Sequence, residues 1–261
     1  MMEVCGACQN DCPYCAHSGM ISAYKGYQLS IKELESFIQC TLKSGYFFET
    51  IHVHGIGEPL LWKHFNTGIK LLKEAGIAGN IIVTTNGLSS DRIKDETWEY
   101  IDVLNVSLYE NCSNRGNLKE LADRHKGKVN LVPPSGFRTK PTKRYLTTLP
   151  CPCLCSGPMF VKDKIFLHCG PPVFDAAILS GIDIFSSRDL YVELAPHYLE
   201  KFEENKIGNI VLCNCCWANE NIDLPRYPHG CIPSRIMFAL KCWYFNEFRD
   251  GIKSFQRFPQ W

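Results

Sequence analysis

Three cysteines near the start of the chain have a spacing that suits chemistry better than packing. Cys8, Cys12 and Cys15 form a CxxxCxxC pattern in the segment CQNDCPYC. A [4Fe–4S] cluster normally takes a thiolate on each iron, so three closely spaced cysteines leave one iron free for another ligand. We therefore predict an iron–sulfur cluster at this segment, with an open iron that a bound cofactor could occupy.

Cys5, which stands three residues before Cys8, leaves two other metal sites open at this point. Four thiols could hold a structural zinc ion, although zinc sites usually have a longer loop between their two cysteine pairs. Cys5 could also be the fourth ligand of a ferredoxin-like cluster, although the bacterial run has a different spacing. The rest of the sequence must decide between these two sites and a three-cysteine cluster with an open iron.

Length and composition narrow the class of protein. The 261 residues carry a formal net charge of +1 and 15 cysteines. A near-neutral chain lacks the basic excess that nucleic-acid or membrane-surface binding needs, so neither partner is predicted. The N-terminal segment MMEVC has no signal-peptide shape, which favours metal over disulfides as the use of the cysteines. We expect a soluble, cytoplasmic protein.

Strands and helices are predicted to alternate through the first half of the chain. A helix is expected to begin at Ser30, with a capping box to Glu33, and to stop at Gly45; a second is expected from about Phe65 to Gly76. Further helices are expected over about 90–100 and 114–125, and strands over 50–54, 80–85, 103–108 and 128–132. This alternation with short loops predicts an α/β fold with a parallel sheet.

Over residues 1–136 this alternation fits either an open, doubly wound sheet or a partial (β/α) barrel of about five or six strands. We predict the partial barrel, on the resemblance that follows. Parallel strands present their carboxyl ends at one rim, where ligands bind. Four segments follow successive strands and should meet at this rim: the cysteine segment, Gly57-Glu58-Pro59, Asn86-Gly87 and Ser107.

These segments, in this order, resemble a radical S-adenosylmethionine (SAM) enzyme. The matching features are CxxxCxxC with an aromatic residue before the last cysteine, GIGEP after the second strand and TNG after the third. In that family SAM chelates the open iron, and the reduced cluster cleaves it to a 5′-deoxyadenosyl radical. The resemblance implies that Cys8, Cys12 and Cys15 hold the cluster. It also implies a set of SAM contacts: Tyr14, Gly57, Glu58, Asn86 and Ser107.

The family pattern implies a role for each contact. Gly57 and Glu58 would receive the methionine ammonium through backbone and carboxylate, although an isoleucine replaces the first glycine of the family's GGEP segment. Tyr14 would pack near the adenine, and Asn86 and Ser107 would bind the methionine carboxylate and the ribose. From the residues alone, Glu58 could also be a solvated carboxylate and Ser107 a locally bonded hydroxyl. No residue is assigned to catalysis on the substrate.

A second group of cysteines follows a basic linker at 137–150. Cys151, Cys153 and Cys155 precede a predicted hairpin, with strands at 160–161 and 165–167 and a turn at Asp163-Lys164. After a helix expected over about 190–204, a CxxC pair appears. One cysteine before a hairpin, one at its end and a distant CxxC resemble the auxiliary-cluster domain of the SPASM/twitch subgroup. The shorter twitch form occurs in the radical SAM dehydrogenase of the butirosin pathway.

The resemblance implies a second, auxiliary [4Fe–4S] cluster in a domain at 151–221, followed by an aromatic-rich helical segment at 222–261. Its ligands would be Cys155, Cys169, Cys213 and Cys216, with Cys151, Cys153 and Cys215 as possible replacements. Zinc held by the same four thiols is the alternative.

The implied function is that of a metal-binding oxidoreductase. It would abstract hydrogen from a small polar substrate and dehydrogenate it with the help of the auxiliary cluster, using an external one-electron reductant such as flavodoxin or ferredoxin. A peptide-modifying maturase or an epimerase is the alternative within the family. Strands that begin almost at residue one leave no N-terminal module for a leader peptide, which disfavours the maturase. A non-catalytic iron–sulfur electron carrier or zinc-binding module is the alternative outside the family.

Overall fold

The computed structural model describes residues 1–10, 24–54, 56–108, 115–132, 158–166, 185 and 191–205. The strands are Met2–Glu3 (β1), Phe48–His54 (β2), Ala78–Thr85 (β3), Val103–Ser107 (β4), Val129–Val132 (β5), Met159–Val161 (β6), Lys164–Phe166 (β7) and Tyr191–Glu193 (β8). The helices are Ile31–Lys43 (α1), Phe65–Glu74 (α2), Arg115–Arg124 (α3) and Tyr198–Asn205 (α4). Within this part of the chain, no helix is long and apolar enough to cross a membrane.

The predicted α/β fold with a mostly parallel sheet is confirmed. The eight strands form one sheet in the order β5-β4-β3-β2-β1-β6-β7-β8. The pairs from β5 to β6 are parallel, whereas β7 and β8 are antiparallel to their neighbours. The predicted hairpin is β6–β7, with its turn at Lys162 and Asp163, one residue earlier than expected. Because β6 pairs with β1, the hairpin extends the sheet of the partial barrel. The domain division at 137–150 stays a prediction, since that linker lies outside the described residues.

Local signals in the sequence set the ends of α1 and α2. The Ser30 hydroxyl accepts a hydrogen bond from Glu33 N at 3.2 Å, and the Glu33 carboxylate accepts one from Ser30 N at 2.8 Å. This is the predicted capping box. Gly45 and Gly76 follow the two helices with φ of 67° and 62°, the left-handed conformation that ends helices and favours glycine.

The helix expected over 90–100 is instead two short 3₁₀ helices, Ser90–Arg92 and Asp95–Glu99. The chain is extended between them, and the side chain of Asn66 holds it there. Its Nδ2 donates to the last carbonyl of the first 3₁₀ helix at 3.0 Å, and its Oδ1 accepts from Lys94 N at 3.0 Å. These side-chain bonds satisfy backbone groups that a continuous helix would have used.

The prediction of a helix over 190–204 was also wrong at its start. β8 occupies Tyr191–Glu193, and α4 begins only at Tyr198. Pro196 lies in the turn between them, and its ring has no N–H for a helical hydrogen bond. The residues before it extend the sheet, with Val192 paired to Ile165 of β7.

The sheet has an apolar face and a polar face. The apolar side chains of β2 to β4 are buried in one cluster with those of α1 and α2: Ile51, Val53, Ile81, Val83, Leu104 and Val106. Alternate positions on the opposite face carry partly exposed polar side chains: His52, His54, Thr84, Asn105 and Asn130 on β2 to β5, Asn130 being exposed. Parallel strands covered on both faces normally have continuous apolar runs. We call this second side the polar face; its composition indicates a surface that meets water or a ligand.

Candidate functional site

Hydrogen bonds join the carboxyl ends of β1 and β2 at the predicted rim. Gly57 N donates to Cys5 O, and Glu58 N donates to Ala7 O, both at 2.7 Å. The segment that carries Cys8 and residues 56–59 therefore lie side by side, as adjacent parallel strands require.

Two glycines permit this close approach of backbones. A Cβ at Gly57 would lie 2.0 Å from Ala7 O, and a Cβ at Gly6 would lie 1.8 Å from Tyr24 O. Both obstacles are backbone oxygens, which cannot move aside without displacing the loop. Packing of backbone on backbone therefore requires glycine at both positions.

The Glu58 carboxylate is buried and accepts three hydrogen bonds from the protein. Oε1 accepts from Leu60 N at 3.0 Å and from the Thr85 hydroxyl at 2.5 Å, and Oε2 accepts from Asn86 N at 2.8 Å. The residue is 3% exposed. Burial raises the pKa of Glu58, and the hydrogen bonds from Asn86, Thr85 and Leu60 oppose that rise. Glu58 is therefore a link between the loops after β2 and β3, and the solvated-loop interpretation does not apply.

Asn86 follows β3 and is oriented by its neighbours. Its Oδ1 accepts a hydrogen bond from Leu88 N at 2.9 Å, and its Nδ2 lies 4.0 Å from Cys8 Sγ. The next residue, Gly87, has φ of 75°, and a Cβ there would lie 2.7 Å from the Leu118 side chain. The TNG segment is thus a tight turn that directs the Asn86 amide toward the cysteine segment.

Cys8 has an environment that fits an iron–sulfur ligand. Its sulfur receives N–H groups from two sides, Asn10 N at 3.4 Å and Asn86 Nδ2 at 4.0 Å, and the residue is half-buried. Such donors stabilise thiolate sulfur and tune cluster potentials. Three other predicted residues of this site lie outside the described residues: Cys12, Tyr14 and Cys15.

Cys5, by contrast, belongs to the core. Its residue is 0% exposed, and Gln28 Nε2 donates to its sulfur at 3.0 Å. Burial raises the pKa of the Cys5 thiol, as expected of a cysteine that packs in an apolar core. The zinc and ferredoxin-like alternatives that need Cys5 as a ligand are therefore disfavoured.

Ser107 lies at the carboxyl end of β4 and is half-buried. The pair Thr85–Val106 precedes it in the register of β3 and β4. Ser107 therefore stands next to Asn86 along the rim, where the resemblance expected it.

Thr85 is a rim residue that belongs to the TNG segment but was given no role in the sequence analysis. Its hydroxyl donates to Glu58 and accepts from Gly87 N at 2.9 Å, and the residue is 3% exposed. The available signal was its position, because it follows Ile81 and Val83 on the buried face of β3. A hydroxyl in an otherwise apolar row indicates a polar partner in the core.

Two imidazoles lie together on the polar face. His52 Nε2 is 2.7 Å from Thr84 Oγ1, and the rings of His52 and His54 have centroids 4.0 Å apart. Burial lowers the pKa of His52 to about 4, so this ring is neutral at neutral pH. Farther along the same face, Asn130 Nδ2 donates to Asn105 Oδ1 at 3.3 Å.

Glu3 completes the polar face at β1, where it pairs with His54 in the register of the two strands. It is 0% exposed, and neither carboxylate oxygen has a hydrogen-bond partner among the described residues. Burial raises the pKa of Glu3 to about 7.

The predicted ligands of the auxiliary cluster also lie outside the described residues: Cys151, Cys153, Cys155, Cys169, Cys213, Cys215 and Cys216. The second cluster therefore stays a prediction.

A solved structure shares this fold. The chain is similar to BtrN, a radical SAM dehydrogenase, in a crystal structure with AdoMet and 2-DOIA. The sequences are 17% identical, the similarity covers 80% of this chain and 82% of that chain, and the TM-score is 0.54. A selenomethionine form of BtrN in an open conformation gives 15% identity, 80% and 79% coverage and a TM-score of 0.49.

No protein-family model and no curated protein matches the chain. At such low identity, the similarity to BtrN confirms the predicted resemblance as one of fold.

Proposed function

We propose that this protein is a radical SAM enzyme. Cys8, Cys12 and Cys15 would hold a [4Fe–4S] cluster, and SAM would bind at the rim beside it. The cluster, when reduced, would supply the electron for cleavage of SAM to a 5′-deoxyadenosyl radical, and that radical would take a hydrogen atom from the substrate. The proposed outcome is dehydrogenation of a small polar molecule.

The observation that carries this proposal is the hydrogen-bonded rim around Cys8. Cys8, Gly57 and Asn86 come from three separate segments, yet backbone and side-chain bonds bring these segments together. An electron carrier or zinc module would have no need for this arrangement of strand-end loops. The similar fold of BtrN, which was solved with AdoMet, supports the same interpretation.

The rim residues have properties suited to holding SAM. Gly57 lies beside the cysteine segment through its hydrogen bond to Cys5 O, and Asn86 presents a side-chain amide beside the same segment. Ser107 at the adjacent strand end would meet the ribose, and Tyr14 would cover the adenine. The protein would thereby orient the cofactor and exclude water from it.

The polar face supports a small polar substrate. His54, Thr84 and Asn105 expose hydrogen-bonding groups on the side of the sheet opposite the helices. Dehydrogenation of an alcohol removes a hydrogen atom, a proton and an electron. The hydrogen atom would go to the 5′-deoxyadenosyl radical, and the proton would pass to water at this partly exposed face. Burial lowers the pKa of His52 to about 4, so its ring would offer the substrate an uncharged hydrogen-bonding group.

The remaining electron needs an acceptor. Cys155, Cys169, Cys213 and Cys216 would hold an auxiliary [4Fe–4S] cluster for this purpose. An external one-electron reductant such as flavodoxin or ferredoxin would supply the electron for SAM cleavage.

Anaerobic reconstitution followed by incubation with SAM and dithionite tests the proposal. We expect about eight irons per chain and release of 5′-deoxyadenosine, measured by chromatography. Cys8→Ala should abolish that release, whereas Cys40→Ala, a half-buried cysteine in α1, should retain it. If the protein does not cleave SAM under reducing conditions while its first cluster is intact, the proposal that it is a radical SAM enzyme is refuted. An iron content near four per chain would contradict the prediction of an auxiliary cluster. Deuterium uptake from D₂O into a substrate carbon would indicate epimerisation.

A further inference from the structure

We propose that Glu58 and Thr85 form an internal clamp that positions Asn86 against Cys8, and that the Glu58 carboxylate does not bind SAM. This inference rests on the proposed function, because it concerns the same rim. It assigns Thr85 a positioning role and changes the role that the family pattern gave to Glu58.

The hydrogen bonds of Glu58 leave little capacity for a ligand. A carboxylate has about four acceptor positions, and the protein fills three of them with Leu60 N, the Thr85 hydroxyl and Asn86 N. The residue is 3% exposed, so the remaining position lies within the protein. An ammonium group would have to displace one of these donors to reach the carboxylate.

Thr85 connects the carboxylate to the turn after β3. Its hydroxyl donates to Glu58 and at the same time accepts from Gly87 N at 2.9 Å. Valine has nearly the same shape but can do neither. Loss of the hydroxyl would leave the Gly87 N–H and one Glu58 acceptor unsatisfied in a buried place.

The clamp ends at Asn86, held from both sides. Glu58 fixes its backbone N–H, and Leu88 N fixes its side-chain oxygen at 2.9 Å. Because both are fixed, Nδ2 is directed at Cys8 Sγ, 4.0 Å away. The other end of the clamp is tied to the cysteine segment through Glu58 N and Ala7 O. The hydrogen-bonded ring thus closes through the loops after β1, β2 and β3.

A double-mutant cycle of Glu58→Gln and Thr85→Val tests the clamp. In Glu58→Gln, an amide NH₂ group replaces one of the two carboxylate oxygens. This group cannot accept a hydrogen bond, so the bond from either Asn86 N or the Thr85 hydroxyl is lost. We expect each single variant to weaken SAM binding to the reconstituted protein by about tenfold, as loss of one charge-assisted bond implies. The double variant should be no weaker than the worse single variant, since both break the same connection. Thr85→Ser keeps the hydroxyl and should bind SAM like the wild type.

Thr41→Val is the matched control. Thr41 is also fully buried, and its hydroxyl lies within hydrogen-bonding distance of Phe37 O and the Tyr198 hydroxyl, but it lies in α1. It should lower the unfolding midpoint without changing SAM affinity. The electron paramagnetic resonance spectrum of the reduced cluster should shift in Thr85→Val and stay unchanged in Thr41→Val, because only Thr85 acts on the donor near Cys8.

Two results would overturn the clamp. If Thr85→Val binds SAM like the wild type while Glu58→Gln does not, the carboxylate contacts SAM directly. If the two losses multiply in the double variant, the residues act independently. Failure of the proposed function is recognised separately, because the wild type would then bind no iron or no SAM. In that case the same four proteins still test the clamp through their unfolding midpoints, where additive effects would refute it.

Discussion

Glu3 should make the stability of this protein fall as the pH rises from about 4.5 to about 7. The carboxyl is fully buried with no hydrogen-bond donor among the described residues, and burial raises its pKa from 4.5 to about 7. The folded state therefore holds this proton more tightly than the unfolded state does. The destabilisation caused by burying Glu3 is absent below pH 4.5, because the carboxyl is then protonated in both states. It grows as the pH rises to about 7 and is complete above that value. A rise of this size corresponds to about 3 kcal/mol of unfolding free energy.

Glu3→Gln removes the charge and keeps the shape, so the variant should lose this pH dependence. We expect the difference in unfolding free energy, Glu3→Gln minus wild type, to increase by about 3 kcal/mol between pH 4.5 and pH 8. Anaerobic urea unfolding across that range measures it. Glu49→Gln, the same change at an exposed position of β2, should show no such trend.

Parallel stability curves for Glu3→Gln and wild type would contradict this reasoning. They would mean that water or a cation reaches the Glu3 carboxylate in the folded protein. A carbon-13 titration of the Glu3 carboxyl provides an independent measurement, and a midpoint near that of an exposed glutamate would lead to the same conclusion.

Two further outcomes follow from the rim. Gly57→Ala should abolish retention of the cluster, because the new Cβ would lie 2.0 Å from a backbone oxygen. Gly26→Ala should be tolerated, since a Cβ there meets nothing within 4 Å. The iron content after reconstitution measures both outcomes. Cys5→Ala should retain the iron and lower the unfolding free energy by roughly 1–3 kcal/mol through loss of core packing, whereas Cys8→Ala should lose iron with little change in the stability of the iron-free protein. Loss of iron in Cys5→Ala without unfolding would restore Cys5 as a ligand.

Features that depend on neighbours in the chain were predictable from sequence. The capping box at Ser30 and the stop at Gly45 involve residues within one helical turn, and both were found as expected. The order of strand-end segments was also predictable, because parallel strands place their carboxyl ends together.

Features that depend on distant residues were not predictable in this way. The break between the two 3₁₀ helices near Lys94 is stabilised by a hydrogen bond to Asn66. β8 forms because its backbone pairs with β7. At the site, Glu58 and Asn86 were identified, but the hydrogen bonds of Glu58 to Asn86 and Thr85 were not, since these residues meet only when β2 and β3 pair. A motif identifies the residue, whereas the folded partners decide what its side chain can bind.

β1 lies between two strands that follow it in the chain at very different distances. Met2 pairs with Val53 on one side and with Phe160 on the other. In the chain, β1 is separated from β2 by α1, but from β6 by all the elements between β2 and β5. Closing such a long loop is slow relative to local helix formation. β1 therefore gains its second neighbour only when the hairpin has formed, so the thiol-bearing segment is bordered by strands on both sides late in folding.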